Sequence, residues 1–300
     1  MKKQGSISED FAAILAVRDF KTKLDTLVLF DVRHDDSDIS PIDQFIENSL
    51  RLNKLWAIGE PSQEIEPEIG ILLLLGYISA VESYMRALIR RLITCDQFSQ
   101  QSCESFQVSF GAALHHKPNL LPEALLEETV FSGKDEITKA LNKFIGFQIN
   151  NNKALTALLA QYEIVCQLRH CCVHRFGKLG AKNAITFGLQ SHKEFLEKPV
   201  LLKKQSISSI ADLLITLVKS INIEVFRHVM IRSATSTLDG QDKPGIGWTW
   251  NKRKDKKIFG CYYSVFASQK DAQKSPTADD LYDRFRKFYR NVGKVRKKPT

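Results

Sequence analysis

Apolar residues recur about every 3.6 positions along most of the chain, which is the pattern of α-helices with one buried face. Residues 153–176 show it clearly, with apolar positions at Leu155, Leu159, Tyr162 and Val173. In chain order, the periodic segments predict helices at 9–30, 41–56, 68–94, 104–114, 122–129, 134–147, 153–176 and 206–231. No hairpin signal interrupts this series before residue 236, so we predict an all-α fold up to that point.

Two of these helices begin with recognisable N-terminal signals. Ser6–Glu9 has the form of a capping box, before a helix that we expect to reach Phe30. Ser40 followed by Pro41 is typical of a helix cap and its first turn. Pro61–Pro67 is a predicted linker. We therefore expect an N-terminal helical segment at 1–65 and a helical domain at 66–235.

The pattern changes after Ser236. Trp248 and Trp250 alternate with polar residues as in a short strand, and 258–266 is rich in aromatic and β-branched residues. Between them, the basic run 251–257 is predicted to be a hairpin tip, and a helix is predicted from Ala278 to Arg290. Residues 236–300 are thus predicted to form a small basic β-hairpin-plus-helix appendage.

Composition places the chain among ordinary globular proteins. Its 300 residues are 43% hydrophobic and 26% charged, which is enough to bury a core. The six cysteines have no disulfide-framework spacing and no signal peptide precedes them, so we expect free thiols in a reducing cytoplasm. The apolar run at 71–75 is interrupted by Glu82 and Arg86 before it reaches membrane-spanning length, which predicts a buried helix.

The formal net charge of +9 is concentrated at one end of the chain. Residues 236–300 contain 16 Lys and Arg against 7 Asp, so they account for the whole excess. This distribution indicates an anionic partner, and the interleaved aromatic residues suit RNA backbone binding with base stacking. The alternative is that these aromatic residues form the core of the segment and that the lysines alone contact the anionic partner.

The strongest candidate for chemistry is the segment Arg169–His174, which is predicted to lie on the last two turns of a helix that stops at Gly177. Positive charge at a helix C-terminus is stabilising by about 0.3–1 kcal/mol per group, which explains Arg169 and Arg175 without any function. It does not explain two histidines, His170 and His174, whose pKa lies in the range of proton transfer near neutral pH.

These residues resemble the RNA-cleaving branch of the HEPN superfamily (higher eukaryotes and prokaryotes nucleotide-binding), which is marked by Arg, four to six residues and His. Arg169 and His174 match the two ends, and His170 matches the polar position after the Arg. The continuation His174–Gly177 and the apolar helix Leu72–Tyr84 also resemble that family. The resemblance covers 66–233 and is closest to the RiboL-PSP-associated HEPN proteins of bacterial conflict systems.

The resemblance implies an antiparallel helical bundle and a metal-independent endoribonuclease that leaves 2′,3′-cyclic phosphate and 5′-OH ends, with a role as a toxin or antiviral defence effector. It implies a homodimer with one composite cleft, no cofactor, and a neutralising or regulatory protein as a further partner. The expected catalytic residues are Arg169 as phosphate clamp, His174 as general acid or base, His170 as helper, and Glu82 as an orienting group. The residues expected to bind RNA are Arg175, Lys252, Arg253, Lys254, Lys256 and Lys257.

Other interpretations of the same residues remain open. Cys166, His170 and His174 have a spacing that can bring zinc ligands to one helix face, but a second ligand cluster is missing from the sequence, and the cysteines suit buried core positions better. Glu82 is equally explained as an exposed or salt-bridged residue. A catalytically inactive HEPN module that binds nucleotide, RNA or a partner protein is the alternative function. ATP or GTP hydrolysis is not supported, since the sequence has no glycine-rich phosphate loop.

Overall fold

The computed structural model describes residues 11–12, 14–17, 20–57, 65–115, 120–149, 152–234, 237–238, 241–242 and 246–296. The chain divides into two compact units, Met1–Asp38 and Ile39–Thr300. The sequence-based boundaries at 65/66 and 235/236 fall at other positions, inside the second unit.

The first unit does not contain the helix predicted from residue 9 to Phe30. Its described residues form a single short 3-10 helix, Leu27–Leu29, and the capping box Ser6–Glu9 lies outside the described part. Apolar side chains along this segment are exposed, for example Val17 at 81% and Leu24 at 68%. An amphipathic pattern yields a stable helix mainly when its apolar face packs against other elements, and this stripe is not covered.

The second unit is built from α-helices, which confirms the predicted all-α character. Its helices are α1 (Pro41–Trp56), α2 (Pro67–Cys95), α3 (Gln97–Cys103), α4 (Phe110–His115), α5 (Leu121–Ala124), α6 (Lys134–Ile145), α7 (Lys153–Arg175), α8 (Ala181–Phe187), α9 (Leu189–His192), α10 (Lys204–Ala234), α11 (Lys252–Phe266) and α12 (Ala278–Arg296). Two short strands, β1 (Thr237–Leu238) and β2 (Gln241–Asp242), pair antiparallel. The predicted helix at 104–114 is shorter than expected, and α3 was not predicted.

The central element is α2, which packs against α1, α3, α6, α7, α10 and α11. By length and composition it could cross a membrane, but more than half of its most apolar stretch is buried inside this structure. Helix α1 approaches α2 closely at Gly76, where a Cβ would lie 2.7 Å from a methyl group of Leu52. The helix predicted at 68–94 is therefore present as a buried core helix.

The direction of the neighbouring helices follows from their contacts with α2. Ile71, near the start of α2, approaches Gly177 just after α7, so the two helices run antiparallel. The Tyr84 hydroxyl donates a 3.2 Å hydrogen bond to Asn222 of α10, and Asp96 just after α2 pairs with Arg232 further along α10. Helices α2 and α10 therefore run parallel, with α7 antiparallel to α2.

The β-hairpin predicted between Trp248 and Phe266 is wrong, because residues 252–266 form α11. The Asn251 side chain accepts from the backbone N–H groups of Arg253 and Lys254 and so caps this helix. The aromatic residues of 258–266 suit a strand by type, but Phe259, Tyr262 and Phe266 recur at helical spacing and are all buried. The helix predicted from Ala278 is confirmed as α12, and it continues to Arg296.

Helices α11 and α12 share the core of the second unit rather than forming an appendage with a separate core. Phe259 and Tyr262 of α11, together with Tyr282 of α12, belong to the same buried cluster as Leu88 of α2. These aromatic residues are core, as one of the two interpretations of the sequence predicted. The segment after residue 236 is therefore needed to cover α2.

A buried carboxylate joins the ends of several helices. Asp96 accepts hydrogen bonds from Ser99 N at 2.8 Å, Ser99 Oγ at 2.7 Å and the Tyr262 hydroxyl at 2.9 Å. It also forms an ion pair with Arg232, which in turn donates to the Ile145 carbonyl at the end of α6. This cluster therefore connects α2, α3, α6, α10 and α11 through one charge that is hidden from water.

Substituting Arg232→Ala is expected to lower the free energy of unfolding by about 3–5 kcal/mol, because the Asp96 charge stays buried without its partner. The matched variant on the same helix is Arg227→Ala, whose 63% exposed side chain pairs with Glu224 and should matter by less than about 1 kcal/mol. Urea denaturation of both variants measures the difference. Equal, small decreases in the free energy of unfolding of the two variants would show that the buried pair does not hold the helix ends together.

Candidate functional site

The candidate residues lie at the end of α7, where the backbone leaves the helix abruptly. Asn152 caps the start of α7 by accepting from Leu155 N at 3.0 Å. At the other end, Phe176 adopts a left-handed conformation with φ 50° and ψ 45°, and Gly177 follows with φ 88°. The predicted left-handed stop thus begins one residue before Gly177. An aromatic residue rarely adopts this conformation, which costs on the order of 1–3 kcal/mol.

The Arg169 side chain is partly buried and is not neutralised by a neighbour. Within the part of the chain that the structure describes, its guanidinium forms no hydrogen bond and no ion pair. A guanidinium has five N–H donors in a planar fork that fits two oxygens of a phosphate or carboxylate. The donors of Arg169 are therefore available to an anionic ligand.

The two histidines of the segment lie beside each other on the helix surface. The rings of His170 and His174 are 6.0 Å apart between centroids and inclined by 59°. His170 is partly buried and His174 is exposed. Both rings are therefore close enough to act on one bound group, and the sequence-predicted pair is brought together.

The surroundings of His170 favour its neutral form. Burial lowers its pKa, and the positive charges of Arg169 and His174 lower it further, whereas Glu163 acts in the opposite direction. A neutral imidazole has a nitrogen lone pair that can accept a proton. His170 is thus suited to be a proton acceptor at neutral pH.

Glu82 of α2 lies near the same part of α7, but it is not paired with Arg169. Both side chains act electrostatically on Tyr162 and Cys166, which places them in the same neighbourhood. Glu82 is partly buried and makes no side-chain hydrogen bond or ion pair with the residues described. Its expected role as an orienting group for Arg169 or a histidine stays a prediction.

The cysteines of α7 are buried side chains. Burial raises the pKa of Cys166 to about 12 and that of Cys172 to about 11, and it also raises the pKa of Cys171. A thiol in this state is a poor nucleophile and a poor metal ligand, since both roles need the thiolate. Among the described residues, no three His, Cys, Asp or Glu side chains are grouped to hold a metal ion.

A series of hydrogen-bonded polar side chains along α7, towards His170, was not predicted from the sequence. Asn183 of α8 donates to Gln167 Oε1 at 2.9 Å, and Gln167 donates to Glu163 Oε1 at 2.8 Å. The other carboxylate oxygen of Glu163 accepts from Lys134 N at the start of α6, at 2.9 Å. These bonds fix α6 and α8 against the motif helix. The spacing of Glu163, Gln167 and His170 along one helix face was the available signal.

Arg175, which was expected to bind RNA, is already engaged. Its guanidinium donates to Glu197 Oε1 at 2.6 Å, and both side chains are more than a third exposed. An exposed pair of this kind is weak, typically below about 1 kcal/mol. A phosphate must therefore compete with Glu197 for Arg175, whereas Arg169 has no such competitor among the described side chains.

Large apolar side chains are exposed at the end of α7 and at the start of α2. Phe176 is 81% exposed, Val173 is 47% exposed, and Leu72, next to the Ile71 that approaches Gly177, is 66% exposed. Single exposed apolar residues are common on protein surfaces, but several around one site are typical of an interface.

The remaining candidates form a basic cluster on the first turns of α11, consisting of Arg253, Lys254, Lys256 and Lys257. All four side chains are exposed, and none has an ion pair with a residue in the described ranges. Lys252 differs, because hydrogen bonding to Asp283 and the nearby Asp279 raise its pKa and hold its charge. Cations at a helix N-terminus oppose the helix dipole by about 0.3–1 kcal/mol each, so this cluster does not stabilise α11.

No protein-family model, curated protein or solved structure matches this chain.

Replacing Arg169 with Gln is expected to raise the pKa of His170 towards its ordinary value, because one of the positive charges that lower it is removed. Burial remains, so the pKa should stay below that value. NMR titration of the histidine ring signals measures the change. The control is Lys153→Gln on the same helix, 17 residues earlier and therefore about 25 Å away, which should leave His170 unchanged. Identical titration curves for Arg169→Gln and wild type would contradict the described electrostatics.

Proposed function

We propose that this protein is a metal-independent endoribonuclease of the HEPN type, serving as a toxin or antiviral defence effector. The observation that carries the proposal is an Arg169 guanidinium with no ion pair among the described residues, close to two neighbouring histidines at an exposed helix end. An anion-binding group next to two proton carriers is what cleavage of an RNA phosphodiester requires. The resemblance to the RNA-cleaving HEPN branch supports the same activity.

The reaction needs two proton transfers on opposite sides of one phosphate. The ribose 2′-OH loses a proton as its oxygen attacks phosphorus, and the 5′-oxygen gains a proton as its bond to phosphorus breaks. We assign the first transfer to His170, since its lowered pKa favours the neutral form, and the second to His174 as the general acid. The products are a 2′,3′-cyclic phosphate and a 5′-OH. General acid–base groups of this kind contribute about 10²–10⁴-fold each.

Arg169 serves as the phosphate clamp in this proposal. Negative charge accumulates on the two non-bridging oxygens as the fifth bond to phosphorus forms, and a planar guanidinium can donate to both. Partial burial strengthens the interaction because water screens it less. We assign Glu82, whose charge acts on the same Tyr162 as that of Arg169, to the orienting role that the resemblance implies.

We also propose that the active form is a homodimer joined around the end of α7. The exposed Phe176, Val173 and Leu72 support this, since an interface there would cover them and bring two motif helices together. The cleft would then contain two copies of Arg169 and of the histidine pair. A regulatory or neutralising protein is a further expected partner.

Purified protein is expected to cleave bulk RNA in excess EDTA and to leave cyclic phosphate ends. Arg169→Ala and His174→Ala should each lower the cleavage rate by about 10²-fold or more, because each removes a group that acts on the reacting phosphate. Gel analysis of end-labelled RNA, with chemical identification of the ends, measures both results. Matched controls are Arg227→Ala and His115→Ala, which remove the same residue types at exposed positions outside the motif.

Three outcomes would contradict parts of this proposal. Activity that is lost with EDTA and returns with zinc would exclude the metal-free mechanism. RNA binding without cleavage would favour the catalytically inactive module. If the two inactive variants regain full activity when mixed, each site works alone and the shared cleft is wrong.

A further inference from the structure

The length of helix α2 gives an estimate of the distance between the candidate site and the basic cluster of α11. The site lies at the start of α2, where Ile71 approaches Gly177, and α11 contacts the other end, where the Tyr262 hydroxyl donates to Asp96. Ile71 and Asp96 are 25 residues apart, which corresponds to about 37 Å at 1.5 Å per residue. The motif residues Arg169–His174 precede Gly177 by 3–8 residues on the antiparallel α7, which brings them about 5–12 Å nearer to Asp96, so the separation along α2 is about 25–33 Å.

The direction of α11 places its basic cluster at the Asp96 end of α2, away from the candidate site. Phe266, the last residue of α11, accepts a hydrogen bond from Asn222, which also meets Tyr84 in the middle of α2. Trp248, just before α11, donates instead to Ser233, next to the Arg232 that pairs with Asp96. The N-terminal turns of α11 therefore lie at the Asp96 end of the bundle.

Aromatic rings of α12 lie beside the basic start of α11. Trp250 stacks on Tyr289 at 4.8 Å between ring centroids, and Lys252 pairs with Asp283, so the two helices run antiparallel. Phe288 on α12 is 57% exposed. The Asp96 end of the unit therefore combines the basic cluster of α11 with aromatic rings.

We propose that this remote basic end is an anchoring site for single-stranded RNA, so that the protein selects RNA long enough to reach from it to the cleavage site. The proposal rests on the proposed function for the identity of the ligand. Cations interleaved with aromatic rings fit a strand that offers both phosphates and bases. At about 3.4 Å per stacked nucleotide, a span of about 25–33 Å corresponds to about seven to ten nucleotides.

The expected gain in RNA affinity comes from joining two contacts through one RNA strand. A strand that reaches both ends binds the second one intramolecularly, which raises affinity without any new kind of contact. Shorter RNA can occupy only one end at a time. We therefore expect a step in affinity near ten nucleotides and not a gradual increase.

The test uses the full-length His174→Ala variant, which removes cleavage but keeps the Arg169 phosphate clamp, and fluorescently labelled unstructured RNAs of about 6 to about 24 nucleotides. Anisotropy titrations should show affinity rising at least about ten-fold between about 8 and about 16 nucleotides. Each phosphate contacted at the anchor adds ~0.7 to the magnitude of the salt slope, so four contacts add about 3 for the longer RNAs only.

Charge removal at the anchor should abolish this step. The variant has Arg253, Lys254, Lys256 and Lys257 all replaced by Gln in the His174→Ala background, at exposed positions where the fold should tolerate the change. The matched control removes four exposed cations elsewhere, by Arg51→Gln, Lys54→Gln, Lys139→Gln and Arg227→Gln, and should keep the step. Circular dichroism confirms the fold of both.

The possible results separate this inference from the proposed function. A step in RNA affinity that disappears when the four cations are replaced supports the anchoring site. If the wild-type protein also cleaves no RNA, the proposed nuclease activity is refuted while the anchoring site stands. Cleavage by wild type with no step, or with a step that survives their replacement, overturns the anchor and leaves the nuclease. Unchanged RNA affinity together with vesicle or acidic-protein binding that depends on the cluster overturns the anchor as well.

Discussion

The buried Asp96 carboxylate is the interaction on which the arrangement of the long helices depends. It lies at the point where α2 ends, and it is completely hidden from solvent, so its charge is tolerated only because Arg232, Tyr262 and Ser99 all bond to it. These partners come from α10, α11 and α3. Because each donor must reach one carboxylate, the positions of three helices along α2 are set together, and the rest of the core packs around that alignment.

That alignment separates two electrostatic regions of the molecule. At one end, Arg169 and two histidines lie on the last turns of α7, where the helix dipole favours positive charge and where Phe176 is held in a strained conformation. At the other end, the basic cluster of α11 opposes the dipole of its own helix and has no described counterion. The first region is suited to chemistry on a phosphate and the second to holding an anion without transforming it.

The sequence predicted the structure well where a pattern allowed a single interpretation and poorly where it allowed two. Helices α1, α2, α6, α7 and α10 were predicted to within a few residues, because caps such as Ser40 and long apolar periodicity agree with each other. Helix α11 was mistaken for a hairpin, since its aromatic residues have high strand propensity while their spacing is helical. The segment before Phe30 was mistaken for a helix, because periodicity cannot show whether a partner surface exists to cover it.

The sequence by itself determined the all-α character, the charge excess after residue 236, and the clustering of Arg169, His170 and His174, since these are local properties of spacing and residue type. Only the tertiary structure decided that Glu82 lies beside the motif helix, that Arg175 is engaged by Glu197 while Arg169 has no described partner, and that the basic cluster lies about 25–33 Å from the motif along α2. These are relations between residues distant in the chain, and they follow from which faces the helices bury and from the shared Asp96 carboxylate, which no local pattern encodes.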